Sequence, residues 1–322
     1  MDESVKKLIS GRTLEYIQQN AMSQTMFAKH CGINPSYLSN ILNGIFEYKA
    51  AEGKTVPISD KYFHIIADCI GMNLQESVWD IRATSQFTMM ISTLENAHEN
   101  AMSENGRGAF KMIIGESGCG KTFAINQYCK AHPTDSIKIT INDMDKIKDI
   151  IEEIGRQLSI ELPLGAGNRL RAIAREFRSR ALRGVKMILI LDEGENTKIP
   201  GLKMYKAIYD LVQGYAAFVI AGTPELPKMM NLLLGKGTPG IKQVVRRFKA
   251  GIVNLPPMDR KYTPFMDLVE DIRLRKLLVG LCDNYGELHD FLEPAILSAK
   301  KDGKPLTEEY FRTMYCIAKT GE

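Results

Sequence analysis

The run Gly115-Glu116-Ser117-Gly118-Cys119-Gly120-Lys121-Thr122 fits the phosphate-binding spacing G-x-x-x-x-G-K-[ST] at every fixed position. It constrains the fold more than any other feature, because such a loop belongs between a buried strand and a helix. The apolar run Phe110 to Ile114 reads as that strand, and Thr122 to Lys130 reads as the helix. The glycines let backbone N–H groups curl around phosphates where any Cβ would crowd them, and the helix N-terminus adds its positive dipole end. Lys121 is expected to reach the β- and γ-phosphates, and Thr122 to hold Mg²⁺ through its hydroxyl. Together with Gly115, Glu116, Ser117, Gly118, Cys119 and Gly120 they make the expected cofactor cradle.

A second segment adds hydrolytic chemistry. Val185 to Leu191 is continuously apolar apart from Lys186, and it ends in Asp192-Glu193. Such a run suits a central parallel strand covered on both faces. Asp192 is then expected at the carboxyl end of the sheet, binding the cofactor by orienting the Mg²⁺ shell. Glu193 is placed to polarise a water for attack on the γ-phosphate. Thr197-Lys198 is followed by Ile199-Pro200, which is no guanine-recognition motif, so the expected cofactors are ATP and Mg²⁺.

The 322 residues are 44% hydrophobic and 25% charged, as in soluble globular chains of two or three domains. No apolar run reaches a membrane span, and Met1-Asp2-Glu3-Ser4 does not open a signal peptide, so a cytoplasmic chain with no membrane partner is expected. Cys31, Cys69, Cys119, Cys129, Cys282 and Cys316 form no C-x-x-C pattern and read as reduced thiols. The net charge of +4 is concentrated in the middle of the chain.

Residues 1–85 read as several short helices containing a helix-turn-helix, a candidate DNA-binding domain. Phe27 and Ala28 face inward, Gly32 turns the chain, Asn34 caps the second helix with Pro35 at its first position, and Gly44 ends it. Its outer face would offer Ser36, Tyr37, Ser39, Asn40 and Asn43 to bases and phosphates. From 86 to 255 strand and helix patterns alternate, which implies an α/β domain with a parallel sheet flanked by helices. From Pro256-Pro257 to residue 322 only helical patterns appear, as in a small lid.

This constellation resembles the AAA+ ATPases, and among them the DNA-transposition ATPases of the phage Mu B and TnsC type. The resemblance implies that Thr223, in Ala221-Gly222-Thr223-Pro224, is a polar sensor residue. It implies an arginine finger in Val244-Val245-Arg246-Arg247-Phe248, Arg247 being favoured over Arg246, acting on ATP held by a neighbouring subunit. In Tyr285-Gly286-Glu287-Leu288-His289, His289 stands where the family often has the arginine of a second sensor. The resemblance also places basic residues of a DNA channel before the Asp192 strand. Here lie Arg169, Arg171, Arg175, Arg178, Arg180, Arg183 and Lys186 against a single acid, Glu176. Arg171, Arg175 and Arg178 share one helical face by their i, i+4, i+7 spacing; Arg169, Arg171 and Arg175 are the chosen DNA contacts.

The expected function is an ATPase that assembles on double-stranded DNA as a filament or ring and delivers it to a transposase, hydrolysis driving disassembly. A helicase loader of the DnaC or IstB kind and a nucleotide-switched transcription regulator are the alternatives.

Overall fold

The computed structural model describes residues 1, 3–20, 22–49, 55–72, 79, 81–106 and 108–318. Its internal contacts divide the chain into two units, Met1–Val78 and Trp79–Glu322.

In the first unit, α1 (Glu3–Gln19), α2 (Gln24–Cys31), α3 (Pro35–Leu42) and α4 (Asp60–Cys69) enclose Ile9, Phe27, Leu38, Ile41, Phe63 and Ile66. The helix boundaries follow local chemistry. Ser23 accepts a hydrogen bond from the Met26 N–H at 3.1 Å, and Asn34 Oδ1 accepts one from the Ser36 N–H at 2.9 Å. Gly32, at φ +66°, turns the chain between α2 and α3 in a conformation that costs other residues a steric penalty. One element corrects the all-helical expectation: β1 (Glu47–Lys49) pairs antiparallel with β2 (Thr55–Pro57) after the helix-turn-helix. Strands of three residues are too short to show a period of two.

The second unit is built on five parallel strands in the order β4-β5-β6-β3-β7. They are β3 (Phe110–Ile114), β4 (Ser136–Thr140), β5 (Met187–Asp192), β6 (Ala216–Gly222) and β7 (Ile252–Asn254). The α/β expectation holds, and the short β7 is an addition to it. Alternation along the central strands splits their side chains between two cores. Leu189, Leu191, Phe218 and Ile220 pack with α7 (Ile147–Gln157), α8 (Ala166–Leu182) and α9 (Ile199–Val212). Ile188, Ile190, Ala217, Val219 and Ala221 pack under α5 (Ser85–Glu99) and α6 (Lys121–Ala131). Burial on both faces explains why these strands read as unbroken apolar runs.

Two short helices, α10 (Glu225–Gly235) and α11 (Ile241–Phe248), lead into β7. The end of the chain is all-helical, as expected: a 3₁₀ turn at Thr263–Leu268, then α12 (Ile272–Leu281), α13 (Tyr285–Lys301) and α14 (Glu308–Tyr315). Its own core gathers Tyr262, Phe265, Leu274, Leu278, Leu288, Leu292 and Phe311. Trp79 packs there too, stacked on Phe265 with ring centroids 4.6 Å apart. The expected boundary at residue 85 therefore falls inside the second unit, at the start of α5, where the Thr84 hydroxyl accepts from the Phe87 N–H at 3.1 Å.

Phe218 pairs in register with both Phe110 and Leu189 and is almost fully buried. Truncating it empties a site walled by strands that cannot collapse inward. Phe218→Ala is expected to lower unfolding stability by about 3–5 kcal/mol in a urea titration.

Candidate functional site

Parallel pairing brings the carboxyl ends of all five strands to one edge, and the functional side chains gather there. β6 lies between β3 and β5, so Thr223 stands between the phosphate loop and Asp192. A cavity of about 380 Å³ opens at this edge. The loop residues Ser117 to Thr122, with Asp192, Glu193, Glu195 and Thr223, line its polar side. Trp79, Phe87, Phe265, Tyr285 and His289 line the other.

The loop closes around Lys121, whose Nζ donates to the carbonyls of Gly115 and Glu116, each at 2.9 Å. Gly118 and Gly120 take φ of +69° and +90°, so the turn needs glycine at both. A Cβ on Gly115 would come within 2.7 Å of Leu255 Cδ1 and 3.0 Å of Cys119 Sγ. Cys119 is buried, and that burial pushes its thiol pKa up, so it stays protonated.

Asp192 is 1% exposed. Its Oδ1 accepts from the Glu193 N–H at 3.0 Å, while Oδ2 lies 3.3 Å from Lys138 Nζ without hydrogen-bond geometry and has no other partner among the described residues. A buried carboxylate oxygen left over at the mouth of a phosphate loop suits a hard cation that takes oxygen ligands. Asp192 and the Thr122 hydroxyl are the residues that would hold Mg²⁺.

The five residues from Asp192 to Asn196 form a tight turn in which each has a task. Glu193 adopts φ +57°, a left-handed conformation uncommon outside glycine, and its carboxylate accepts from Asn196 Nδ2 at 3.1 Å. The same amide also bonds the Ile141 carbonyl at 2.9 Å, tying the turn to the end of β4. Gly194 leaves no room for a Cβ, which would meet Ile220 Cγ2 at 2.6 Å. Glu195 Oε2 accepts from the Thr223 N–H at 3.1 Å and so holds the β6 end against the β5 end. Sequence reasoning found Asp192 and Glu193 but missed Glu195, Asn196 and Lys138; the signal was the continued polar run past Glu193.

The lid meets the loop directly, another feature missed. Asn284 caps α13, its Oδ1 accepting from the Glu287 N–H at 2.9 Å. That same oxygen lies 2.2 Å from where a Cβ on Gly118 would project. The Gly286 N–H donates to the Gly118 carbonyl at 3.3 Å. Arg260 bonds the Asp283 carbonyl and pairs with Glu116 at 2.8 Å. His289, in the cavity wall, pairs with Glu293 at 2.9 Å and meets the Trp79 ring edge-on at 5.0 Å.

Arg246 and Arg247 lie on α11 and do not line this cavity. Arg247 Nε donates to Asp210 Oδ1 at 2.9 Å, whereas Arg246 is exposed with no ion pair among the described residues. Both side chains are exposed, and Arg247, the favoured of the two expected, is the one paired within the chain.

The arginines of α8 divide by role. Arg169 is held by Glu152 at 2.9 Å and by the Pro163 carbonyl at 3.1 Å, with its side chain only 16% exposed. In the structure these bonds staple α8 to α7, whereas the expectation set Arg169 among the DNA contacts. Arg180 likewise bonds Glu176 at 2.7 Å and the Leu158 carbonyl at 3.0 Å. Arg171, Arg175 and Arg178 instead share an open groove with Asn168 and Tyr215, and Arg178 lies over the Tyr215 ring at 5.4 Å.

On α3, Ser36 is exposed and Ser39 half-buried. Tyr37 packs between Tyr48 and Tyr62, with centroids 5.1 Å from each, and Asn40 Nδ2 donates to the Glu47 carbonyl at 3.3 Å. Both were expected to be free for DNA; the unforeseen hairpin engages them.

Residues 105–230 match the family model described as AAA domain. Among solved structures, Cdc6p from Pyrobaculum aerophilum is similar with a TM-score of 0.56 at 17% identity, over 80% of this chain and 72% of that one. The Aeropyrum pernix ORC2 protein in its ADP form gives 0.50 at 15% identity, over 78% and 72%. Its ADPNP-ADP complexes give 0.54 at 14% identity, over 77% and 71%. A search of curated proteins found no match. At such identities the structural likeness is one of fold. The fold and the site together are those of a P-loop ATPase core, of which residues 105–230 match the AAA domain model.

Gly118→Ala should cost the site twice, through its positive φ and through collision with Asn284. The expected outcome is at least tenfold weaker ATP binding by calorimetry in a folded protein. Adding Asn284→Gly removes the collision together with the α13 cap, and should restore part of the affinity relative to Gly118→Ala; Asn284→Gly by itself is the control for the lost cap.

Proposed function

We propose that this protein is an ATPase that binds ATP with Mg²⁺, assembles with copies of itself across the nucleotide site, and holds double-stranded DNA in the assembled state. The convergence of Lys121, Thr122, Asp192, Glu193 and Thr223 on one cavity carries the reading. Lys121 would leave the loop carbonyls for the β/γ-phosphates. Mg²⁺, held by Thr122 and Asp192, would neutralise charge between those phosphates. Glu193 would take the proton of the attacking water, and Thr223 would report on the γ-phosphate through Glu195. The ORC2 protein was solved with ADP and ADPNP, which supports an adenine nucleotide here.

An arginine on α11 would complete a neighbour's site, with Arg246 the candidate without an ion pair among the described residues and Arg247 the alternative once it leaves Asp210. Arg171, Arg175 and Arg178 would follow the phosphates of duplex DNA, because their shared groove presents three positive charges without an acid among its lining residues. The helix-turn-helix would add an accessory contact through Ser36 and Ser39. Delivery of the bound DNA to a transposase is the finer reading; it rests on the resemblance in domain order alone.

Lys121→Ala is expected to abolish ATP binding, and Glu193→Gln to bind ATP while losing turnover, checked by calorimetry and phosphate release. Wild-type turnover in Glu193→Gln would remove it as the water-activating acid. Replacing the finger should cost roughly 10³ to 10⁵ in turnover. Mixing Lys121→Ala with either Arg246→Ala or Arg247→Ala identifies it: the finger variant should be inactive alone and regain turnover in the mixture, where its intact pocket meets the arginine of a Lys121→Ala subunit, whereas the other variant should turn over ATP by itself. For DNA, affinity should need ATP and fall with salt. Arg171→Ala should flatten the logarithmic salt slope by about 0.9 for each phosphate it leaves without a counter-charge, with sequence preference unchanged.

A further inference from the structure

A second cluster of metal-ligating side chains lies at the far end of α6 from the phosphate loop, and none of its members lines the nucleotide cavity. His98 comes from α5, His132 caps the C-terminus of α6, and Asp135 sits three residues later, at the approach to β4. One donor atom from each falls within 4.8 Å of the other two. Asp135 Oδ2 is 3.7 Å from His98 Nε2 and 3.6 Å from His132 Nδ1. Both gaps are too long for good hydrogen bonds. They lie at and just beyond the upper end of the ligand-to-ligand edge, about 3.3–3.6 Å, of a tetrahedron whose metal bonds are about 2.0–2.2 Å, so a bound ion would draw the three groups slightly together. The Asp135 carboxylate makes no hydrogen bond among the described residues, so it faces two imidazole nitrogens with nothing bonded between them.

The surroundings set the ring orientations a metal needs. Glu95 Oε1 lies 3.3 Å from His132 Nε2, so a proton on Nε2 would have an acceptor and would leave the Nδ1 lone pair toward Asp135. A carboxylate behind a histidine in this way is the usual support of a metal-bound imidazole. His98 Nδ1 is 2.7 Å from Tyr128 Oη and Nε2 is 2.9 Å from the Lys186 carbonyl. Moving the His98 proton from Nε2 to Nδ1 would keep the Tyr128 bond, with Tyr128 now accepting, and free both Nε2 and the Lys186 carbonyl as ligands.

We propose that His98 Nε2, His132 Nδ1, Asp135 Oδ2 and the Lys186 carbonyl form a structural Zn²⁺ site, with Glu95 and Tyr128 as positioning residues. Two imidazoles and two oxygens suit zinc better than Mg²⁺ or Ca²⁺, which prefer all-oxygen shells. His98 is 6% exposed, so no position is left open for a substrate water, and the role is a clasp. It joins α5, the end of α6, the approach to β4 and the residue before β5, four segments that meet below the sheet edge opposite the nucleotide.

The test uses the full chain stripped with chelator and titrated with ZnCl₂ in the absence of nucleotide. One equivalent should bind with a Kd below about 1 μM, and zinc at about 100-fold its Kd should raise the melting temperature by roughly 5–10 °C. His132→Ala and Asp135→Asn, both at partly exposed positions, should each weaken binding more than 100-fold and abolish the thermal shift. Glu95→Gln should weaken it about 10- to 100-fold, as loss of a supporting carboxylate does. Co²⁺ in place of zinc should give the intense visible bands of tetrahedral coordination without a thiolate charge-transfer band. Binding weaker than about 100 μM would overturn the proposal. So would tight binding that His132→Ala and Asp135→Asn leave unchanged, since the metal would then sit elsewhere, for instance on cysteine.

Discussion

The packing of β6 between its neighbours governs the rest of the second unit. All seven residues from Ala216 to Gly222 are buried, paired on one edge with β5 and on the other with β3. Parallel pairing in fixed register means that the last residues of three strands arrive at one level. That alone sets the spacing between the phosphate loop after β3, the acids at the end of β5 and the threonine after β6. No side-chain contact could set it as rigidly, because a slip of one residue in β6 would turn Phe218 and Ile220 toward α5 and α6. Ala217, Val219 and Ala221 sit on the face that α5 and α6 cover, and Ala216, Phe218 and Ile220 on the opposite face.

Much of this was legible because the informative signals were local. The loop motif names its own strand and helix. The Val185 to Asp192 run declares a strand buried on both faces, and Asn34-Pro35 marks a helix start by capping chemistry. What stayed hidden depended on distance along the chain. β7 is three residues long, and only its pairing with Met112 to Ile114 makes it a strand. The hairpin after α3 is equally short, and its contacts with Tyr37 and Asn40 were hidden with it. Arg169 and Arg171 look alike in a charge run, yet Glu152 on another helix ties down the first, while the second bonds only Asn168 on its own helix. Asn284 and Gly118 are separated by most of the ATPase core, and their near-collision has no trace in either neighbourhood.

The two basic elements of the second unit illustrate how charge acquires meaning from packing. A run rich in arginine invites a single interpretation, but α8 uses its guanidinium groups in two ways. Arg169 and Arg180 satisfy carbonyls and acids of the α7 segment and of α8 itself, where their partly buried stems also cover apolar surface. Arg171, Arg175 and Arg178 are left facing outward on the remaining side. On α11 the same division falls between adjacent residues, since Arg247 is drawn to Asp210 on α9 and Arg246 is not. Adjacent residues on a helix point about 100° apart, which is enough to give one a partner and leave its neighbour in solvent.

Besides the burial of Cys119 in the lid's apolar core, the polar contacts between lid and phosphate loop are of two physical kinds. Arg260 and Glu116 form an exposed ion pair, which salt screens and which contributes little at physiological ionic strength. The Gly118–Asn284–Gly286 contact is made of backbone and a neutral amide pressed into space left by a missing side chain. It carries no charge to screen and no proton to lose across the physiological pH range. The lid is therefore held by a fastening that the medium can loosen and another that only a change in the loop's own shape can release. Whatever reshapes the loop would act on the second fastening, and ionic conditions on the first.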